Sequence, residues 1–288
     1  MQAQVSVVIA TRNRRSCLLA TLRRLEALPE RPPIVVVDNA STDGTPGAVA
    51  RAHPRVELLV LGRNAGAAGR TAGIRRAGTP YVALADDDSW WAPGTLAHAA
   101  ELFAGHPRLA VLAARILVGT EEREDPTCAE MARSPLTTEL ELPGRSVLGF
   151  LACGAIVRRA AYLEVGGFDG RLGVGGEETL LAIDLQRGGW GLAYVPALVA
   201  HHHPPHDRAE AERRRALARN ELWTAWLRRP LRAAAGTTVV LGRRALHDRD
   251  ARAGLIAGIK GLRPVIRDRR PVGRRLEGDL RLLAREHG

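Results

Sequence analysis

The sequence predicts an α/β fold: a mostly parallel sheet flanked by helices, followed by a helical extension at the carboxyl end. Three observations carry this. Short apolar runs alternate with amphipathic stretches at the spacing of βαβ units, beginning with 5–10, 15–28 and 34–38. The runs are apolar throughout rather than alternating, which suits parallel strands buried on both faces. Charge is unevenly spread: residues 1–206 hold 21 arginines against 21 acids, whereas residues 207–288 hold 21 basic residues against 10 acids. The whole net charge of +11 therefore belongs to the tail, which is a separate unit from the sheet.

The opening strand, 5–10, is followed by the polar loop Thr11-Arg12-Asn13-Arg14-Arg15. A helix over 15–28 gathers Leu18, Leu19, Leu22 and Leu25 on one face, and Pro29, Pro32 and Pro33 close it. The second strand, 34–38, ends in the carboxylate of Asp38, and Asn39 to Gly44 are turn residues. Thr45 is expected to cap the next helix, with Pro46 at its first position. The third strand, 56–61, leads into glycine-rich Gly62-Arg63-Asn64-Ala65-Gly66-Ala67-Ala68-Gly69-Arg70. Free backbone N–H groups and a helix dipole there would suit a phosphate, with Arg70 adding a fork of donors. The glycines are equally explained by close packing of a helix on a sheet, and the dinucleotide fingerprint G-x-G-x-x-G is absent.

The fourth strand, 81–85, stops at Asp86-Asp87-Asp88, so three carboxylates stand at a strand's carboxyl end, where open α/β sheets place ligands. If strand geometry persists, Asp86 and Asp88 point to one side and Asp87 to the other. One or two carboxylates completed by phosphate and water oxygens is how Mg²⁺ is held, and Mn²⁺ accepts the same ligands. The competing reading is a solvated acidic turn before a helix starting near Pro93.

After the helix at 93–105 and a strand at 109–117, residues 119–146 read as a polar, proline-punctuated loop over the site. In the apolar segment 147–157, Cys153-Gly154-Ala155 are small enough to let a ligand approach the backbone. A helix over 158–165 ends at Gly166-Gly167. Glu177 and Glu178 open the helix that follows Gly173-Val174-Gly175-Gly176, where they either complement the helix dipole or present a general base. Two short strands, 191–195 and 198–200, precede His201-His202-His203-Pro204-Pro205-His206, a metal site or a polar loop. Asp207, with Glu210 three residues on, marks a capping box and the boundary of the tail. The helix that follows carries Leu217, Leu222, Trp223, Trp226 and Leu227 as far as Pro230, and further helices run over 231–246, 251–262 and 274–286.

At 288 residues the chain can bury a full core without staples, and 45% hydrophobic with 25% charged residues are globular proportions. Cys17, Cys128 and Cys153 form neither a disulfide framework nor a zinc motif, which points to a reducing compartment. The amino terminus runs into a strand without a basic leader, so secretion is not expected. No run reaches the roughly 20 apolar residues that cross a bilayer. A cytoplasmic protein is expected, and the basic tail is compatible with peripheral contact at the inner face of a membrane or with dimer formation through its helices. Specific nucleic-acid binding has no supporting motif. Lys260 is the single lysine, a bias that warns against reading every arginine as selected.

Taken in order, Val7 to Arg14, Val35 to Thr45, Arg63-Asn64-x-Gly66, Asp86-Asp87-Asp88, Gly167-Phe168-Asp169 and Gly176-Glu177-Glu178 resemble the family 2 glycosyltransferases with the Rossmann-like GT-A fold, over roughly residues 4–203. The resemblance implies inverting sugar transfer from a nucleotide-diphosphate sugar, UDP- or dTDP-linked, to an acceptor hydroxyl, with Mn²⁺ or Mg²⁺. It divides the chain into a nucleotide-sugar half (1–118), an acceptor half (119–206) and the basic helical extension (207–288). On this resemblance Thr11, Arg12, Asn13, Arg14, Asp38, Asn64, Gly66, Arg70, Asp86 and Asp87 bind the nucleotide. Asp88 is the principal metal ligand, joined by Asp86 and by His201 or His202. Cys153, Gly154 and Trp90 face the acceptor. The family's base position usually reads Glu-Asp; here Glu178 aligns with the base and Glu177 is the alternative. Competing readings are a sugar-nucleotidyltransferase, which would want a glycine-rich, lysine-bearing first loop, and a non-catalytic sugar-nucleotide-binding scaffold.

Overall fold

The structure, a computed structural model, describes residues 3–204 and 210–286. Four strands, Val5–Thr11 (β1), Ile34–Asp38 (β2), Glu57–Val60 (β3) and Tyr81–Ala85 (β4), lie parallel in the order β3-β2-β1-β4. Helices Arg15–Glu26 (α1), Thr45–Ala52 (α2) and Gly69–Arg76 (α3) connect them. Cover on both faces explains why β1, β2 and β4 are almost wholly buried and apolar. α3 packs so closely that a Cβ on Gly73 would lie 2.6 Å from Val8 and 2.8 Å from Val37.

The second half starts with the short strand Ser89–Trp91 (β5), helix Thr95–Gly105 (α4) and strand Leu109–Val118 (β6). Arg123–Glu124 (β7), Pro126–Ala132 (α5) and Arg145–Ser146 (β8) follow. Next come Ala155–Arg158 (β9), Arg159–Glu164 (α6), Glu177–Arg187 (α7) and Gly191–His202 (β10). The sheet continues β4-β9-β6-β10-β5, with β9 antiparallel to both neighbours and β5 antiparallel to β10. One apolar core, built from the strands and the helices that flank them, takes in residues from Val5 to Ala200.

Three expectations are corrected here. The stretch 119–146 contains β7, α5 and β8, because Asp125 accepts the Thr127 N–H at 2.9 Å and Pro126 fits a first helical turn. The two short strands at 191–195 and 198–200 are one, β10, whose register against β6 shifts between Val195 and Val199; Pro196 has no N–H to give the ladder, so the strand bulges instead of ending. Thr45 does not cap α2. Gly44 takes that place at φ +79°, and the Asp43 carboxylate accepts from Thr45 N at 3.0 Å.

The tail forms helices Glu210–Arg228 (α8), Leu231–His247 (α9), Arg249–Lys260 (α10), Leu262–Arg267 (α11) and Arg274–Glu286 (α12). The expected cap Asp207 lies outside the described residues. α10 crosses α8 at Gly254, whose Cβ would stand 2.4 Å from the Arg215 carbonyl oxygen. α8 is tied to α7 by the enclosed ion pair Arg228–Asp184, with Nη2 to Oδ2 at 2.8 Å.

Candidate active site

β1, β2 and β4 end on one edge, which brings Thr11, Asp38 and the three aspartates together. β4 stops at Ala85. The Asp86 N–H donates to Ser89 Oγ at 2.7 Å and the Ser89 N–H to Asp86 O at 3.2 Å, so the triplet is a turn and strand alternation does not continue through it. Asp87 and Asp88 consequently share one partner, Arg14, at 3.4 and 3.2 Å, while Asp86 pairs with Arg70. The strand alternation on which the expected sidedness of the three carboxylates depended is therefore absent, and Asp87 and Asp88 face the same guanidinium. Thr11 Oγ1 donates to Asp87 Oδ2 at 2.7 Å and Thr21 Oγ1 to its backbone oxygen at 2.8 Å. Burial pushes the Asp87 carboxyl up to about 6, its acidic neighbours adding to the effect against Thr11 and Arg14.

The antiparallel pairing of β5 with β10 sets His202 opposite Ser89. Its Nε2 is buried, makes no hydrogen bond and stands 3.3 Å from Asp88 Oδ1. One ligand atom each from Asp86, Cys153 and His202 lies within 4.8 Å of the others. His201 is not brought to this group. One residue along the strand reverses its direction, its Nδ1 stands 3.1 Å from Glu122 Oε1, and its ring stacks on Trp90 at 5.4 Å. Trp90 shares that far face, with Arg24 3.7 Å over its ring and His203 against it.

Asp38 is fully buried; Oδ2 accepts the Ser41 N–H at 2.8 Å and Oδ1 makes no hydrogen bond. Asn13 ties the first loop to the turn after β2, donating its N–H to Ser41 Oγ at 2.8 Å and accepting the Thr42 N–H at 2.7 Å. Arg12 is exposed beside them. The glycine-rich lead-in to α3 is not an open phosphate cradle. Its N–H groups at Ala65, Gly66 and Ala67 donate to Asn39 Oδ1 at 3.1 Å, Asn64 Oδ1 at 2.9 Å and Gly173 O at 2.9 Å. Gly66 sits at φ +57° with the Gly173 backbone 2.9 Å from where a Cβ would be, so these glycines serve close packing.

That contact joins the lead-in of α3 to the lead-in of α7, and so to the two glutamates. Glu177 is buried and its carboxylate accepts the Gly175 N–H, closing its own loop. Glu178 is half-buried and accepts the Ala152 N–H, which places it on the turn that carries Cys153. Burial pushes Glu178 up to about 7, the charge of Glu177 adding to this and Arg70 opposing it. Burial raises Glu177 as well. Arg70 is buried, and its guanidinium interacts with the charges of Asp86, Glu177 and Glu178. Burial, Asp86 and Glu178 keep the Cys153 thiol protonated at neutral pH.

Sequence reasoning missed Asn39, which clamps the α3 lead-in, and Asn220 on α8, whose side chain donates to the carbonyls of Leu172 at 2.8 Å and Gly175 at 2.5 Å. Asn39 follows Asp38 within a motif and was open to notice. Asn220 lies in an amphipathic helix with nothing local to mark it.

Residues 6–166 match the family described as Glycosyl transferase family 2. N-acetylglucosaminyl-diphospho-decaprenol L-rhamnosyltransferase of Mycobacterium tuberculosis is 32% identical over 219 residues, covering 65% of this chain and 71% of that protein. Among solved structures, the mannosyltransferase PcManGT from Pyrobaculum calidifontis, in complex with GDP-Man and Mn²⁺, superposes with a TM-score of 0.56 at 19% identity over 99% of this chain and 87% of that one. S. aureus TarS 1–349 in complex with UDP-GlcNAc gives 0.57 at 20% identity over 76% and 66%. The identities to these structures establish the fold alone. The chain belongs to glycosyl transferase family 2 and has the GT-A fold.

Proposed function

We propose that this glycosyltransferase inverts the anomeric centre of a UDP- or dTDP-linked sugar, with a divalent cation, as it transfers the sugar to a hydroxyl of a lipid-linked acceptor. The observation that carries the reading is the convergence of Asp86, Asp88 and His202 with Glu178 at one sheet edge, Glu178 being joined to them through the turn at Cys153. The rhamnosyltransferase relative supports a deoxyhexose donor and a polyprenyl diphosphate acceptor. In this reading residues 1–118 carry the donor, residues 119–206 the acceptor, and the helical extension buttresses the base.

Asp38, with one carboxylate oxygen unbonded, and the Arg12–Asn13 loop take the nucleobase end. Thr11 and Arg14 hold Asp87 and so fix the turn on which Asp86 and Asp88 stand. These two carboxylates and His202 fit a hard divalent cation, since a buried imidazole nitrogen without a hydrogen bond beside carboxylates is a donor set lacking its acceptor. Bound there, Mn²⁺ or Mg²⁺ would offset the charge that develops on the departing diphosphate. Glu178 accepts the proton of the attacking hydroxyl, and a group poised near 7 is well matched to that work. The Ala152 N–H fixes one of its oxygens, and Glu177, held by Gly175, is a positioning residue for the loop. A single displacement inverts the anomeric carbon.

The test separates the two carboxylate roles. Asp88→Ala should lose metal-dependent nucleotide binding by calorimetry, whereas Glu178→Gln should keep it and lose turnover. Full turnover by Glu178→Gln would remove Glu178 from the reaction.

A further inference from the structure

Among the described residues, seven of the eleven exposed large apolar side chains lie between 231 and 267, including Val239, Val240 and Leu246 on α9 and Ile256 and Ile259 on α10. The same 37-residue stretch holds eight basic residues, all exposed, among them Arg232, Arg243, Arg249, Lys260 and Arg263. Its two acids are both engaged by the protein. Asp248 caps α10 through the N–H groups of Asp250 and Ala251, and Asp250 is buried under Arg214 and Arg215. The inner stripes, Ala234, Leu241 and Ala245 on α9 and Ala251, Gly254 and Gly258 on α10, face the bundle. Helical geometry sets Val239, Arg243 and Leu246 opposite the first stripe, and Arg252, Ile256 and Lys260 opposite the second.

We propose that the outer face of α9 and α10 docks on the surface of an anionic lipid bilayer. Interleaved aliphatic and basic side chains, with carboxylates only at the margin where Glu221 meets Arg244 and Asp268 meets Arg267, match that surface: the aliphatic groups reach the acyl boundary and the basic groups meet lipid phosphates. A second copy of the face is disfavoured, because most of its eight basic side chains would meet like charges, Arg244 and Arg267 already being paired with Glu221 and Asp268. A nucleic acid would leave the aliphatic side chains against a hydrophilic backbone. The surface stands on its own, apart from the transfer reaction, and its consequence rests on the lipid-linked acceptor proposed above. α8, against which α9 and α10 pack, holds the Leu172–Gly175 loop through Asn220, so a docked bundle would present the Glu178 side of the cleft at a fixed height over the membrane.

The experiment is co-sedimentation of the full chain with vesicles of pure phosphatidylcholine or of phosphatidylcholine carrying 30% phosphatidylglycerol, at low and high salt. Binding to the anionic vesicles at least about tenfold tighter than to neutral ones is expected, weakening with salt. Two surface variants, Val240→Ser/Leu246→Ser/Ile256→Ser and Arg243→Glu/Lys260→Glu/Arg263→Glu, should each lose that binding about tenfold while keeping the nucleotide-induced thermal shift of the parent protein. Absence of binding by the parent chain, or undiminished binding by both variants, would overturn the proposal. So would a dimer in light scattering that the apolar variant converts to monomer without any vesicle binding, since the face would then join two copies. Because vesicle binding and nucleotide binding are read separately, failure of one leaves the other standing.

Discussion

Glu178 has its pKa raised by burial from 4.5 to about 7, and the direction of that shift fixes two pH effects. A general base must be ionised, so turnover should rise as pH passes through about 7, and Glu178→Gln should cost about 10²–10⁴-fold with the rise removed from the remaining rate. A carboxyl raised in the folded state contributes stability below its unfolded pKa and loses it as pH climbs through the folded one. The Glu178→Gln protein should therefore melt higher than the parent at pH 8, with the gain growing from pH 4.5 to 7; equal melting at all pH values would mean that the carboxyl is not buried unfavourably. Asp88 and Glu178 were legible in the sequence because each sits in a short motif after a strand or before a helix. The sharing of Arg14 by Asp87 and Asp88 was not legible, since alternation along β4 says nothing about a turn that Ser89 closes from beyond the strand. His202 rather than His201 at the carboxylates was likewise hidden, because the bulge at Pro196 decides which face of β10 each histidine takes.

Elements hold the site through small contacts that can be broken one at a time. Gly73→Ala should cost about 1–3 kcal/mol in chemical denaturation, because its Cβ would overlap Val8 and Val37 where α3 lies on the sheet. Asp184→Ala should cost about 3–5 kcal/mol, since it strands Arg228 uncharged-partnered at the α7–α8 contact. A loss under 1 kcal/mol would mean that the guanidinium reaches water there. The parallel half of the sheet was readable from apolar runs and turn residues alone. The elements within 119–146 were not, because β7 and β8 have two residues each and α5 seven, too few for any period to register. The glycine-rich lead-in to α3 suited a phosphate by composition, but Asn39, Asn64 and Gly173 already take its N–H groups, contacts that span up to about a hundred residues of sequence.

The molecule as a whole joins a neutral sheet domain with carboxylates at one edge to a basic helical bundle packed against α7 and its lead-in. The charge asymmetry was plain in the sequence, while the engagement of Asp248 as a helix cap and of Asp250 under two arginines, which leaves the outer face of α9 and α10 mostly cationic and aliphatic, needed the packed helices to be seen. No helix among the described residues is long and apolar enough to cross a membrane. Any membrane contact by these helices is therefore at the surface, where salt should weaken it. The most direct measurement for the whole scheme is thermal stabilisation of the full chain by UDP, dTDP and GDP, each with and without Mn²⁺, because a ligand that binds only the folded state raises its melting temperature by mass action. A shift with a uridine or thymidine diphosphate that requires Mn²⁺ and disappears in Asp88→Ala is expected. A shift of equal size without the cation, or none with any nucleotide, would contradict a metal-assisted donor site at this sheet edge.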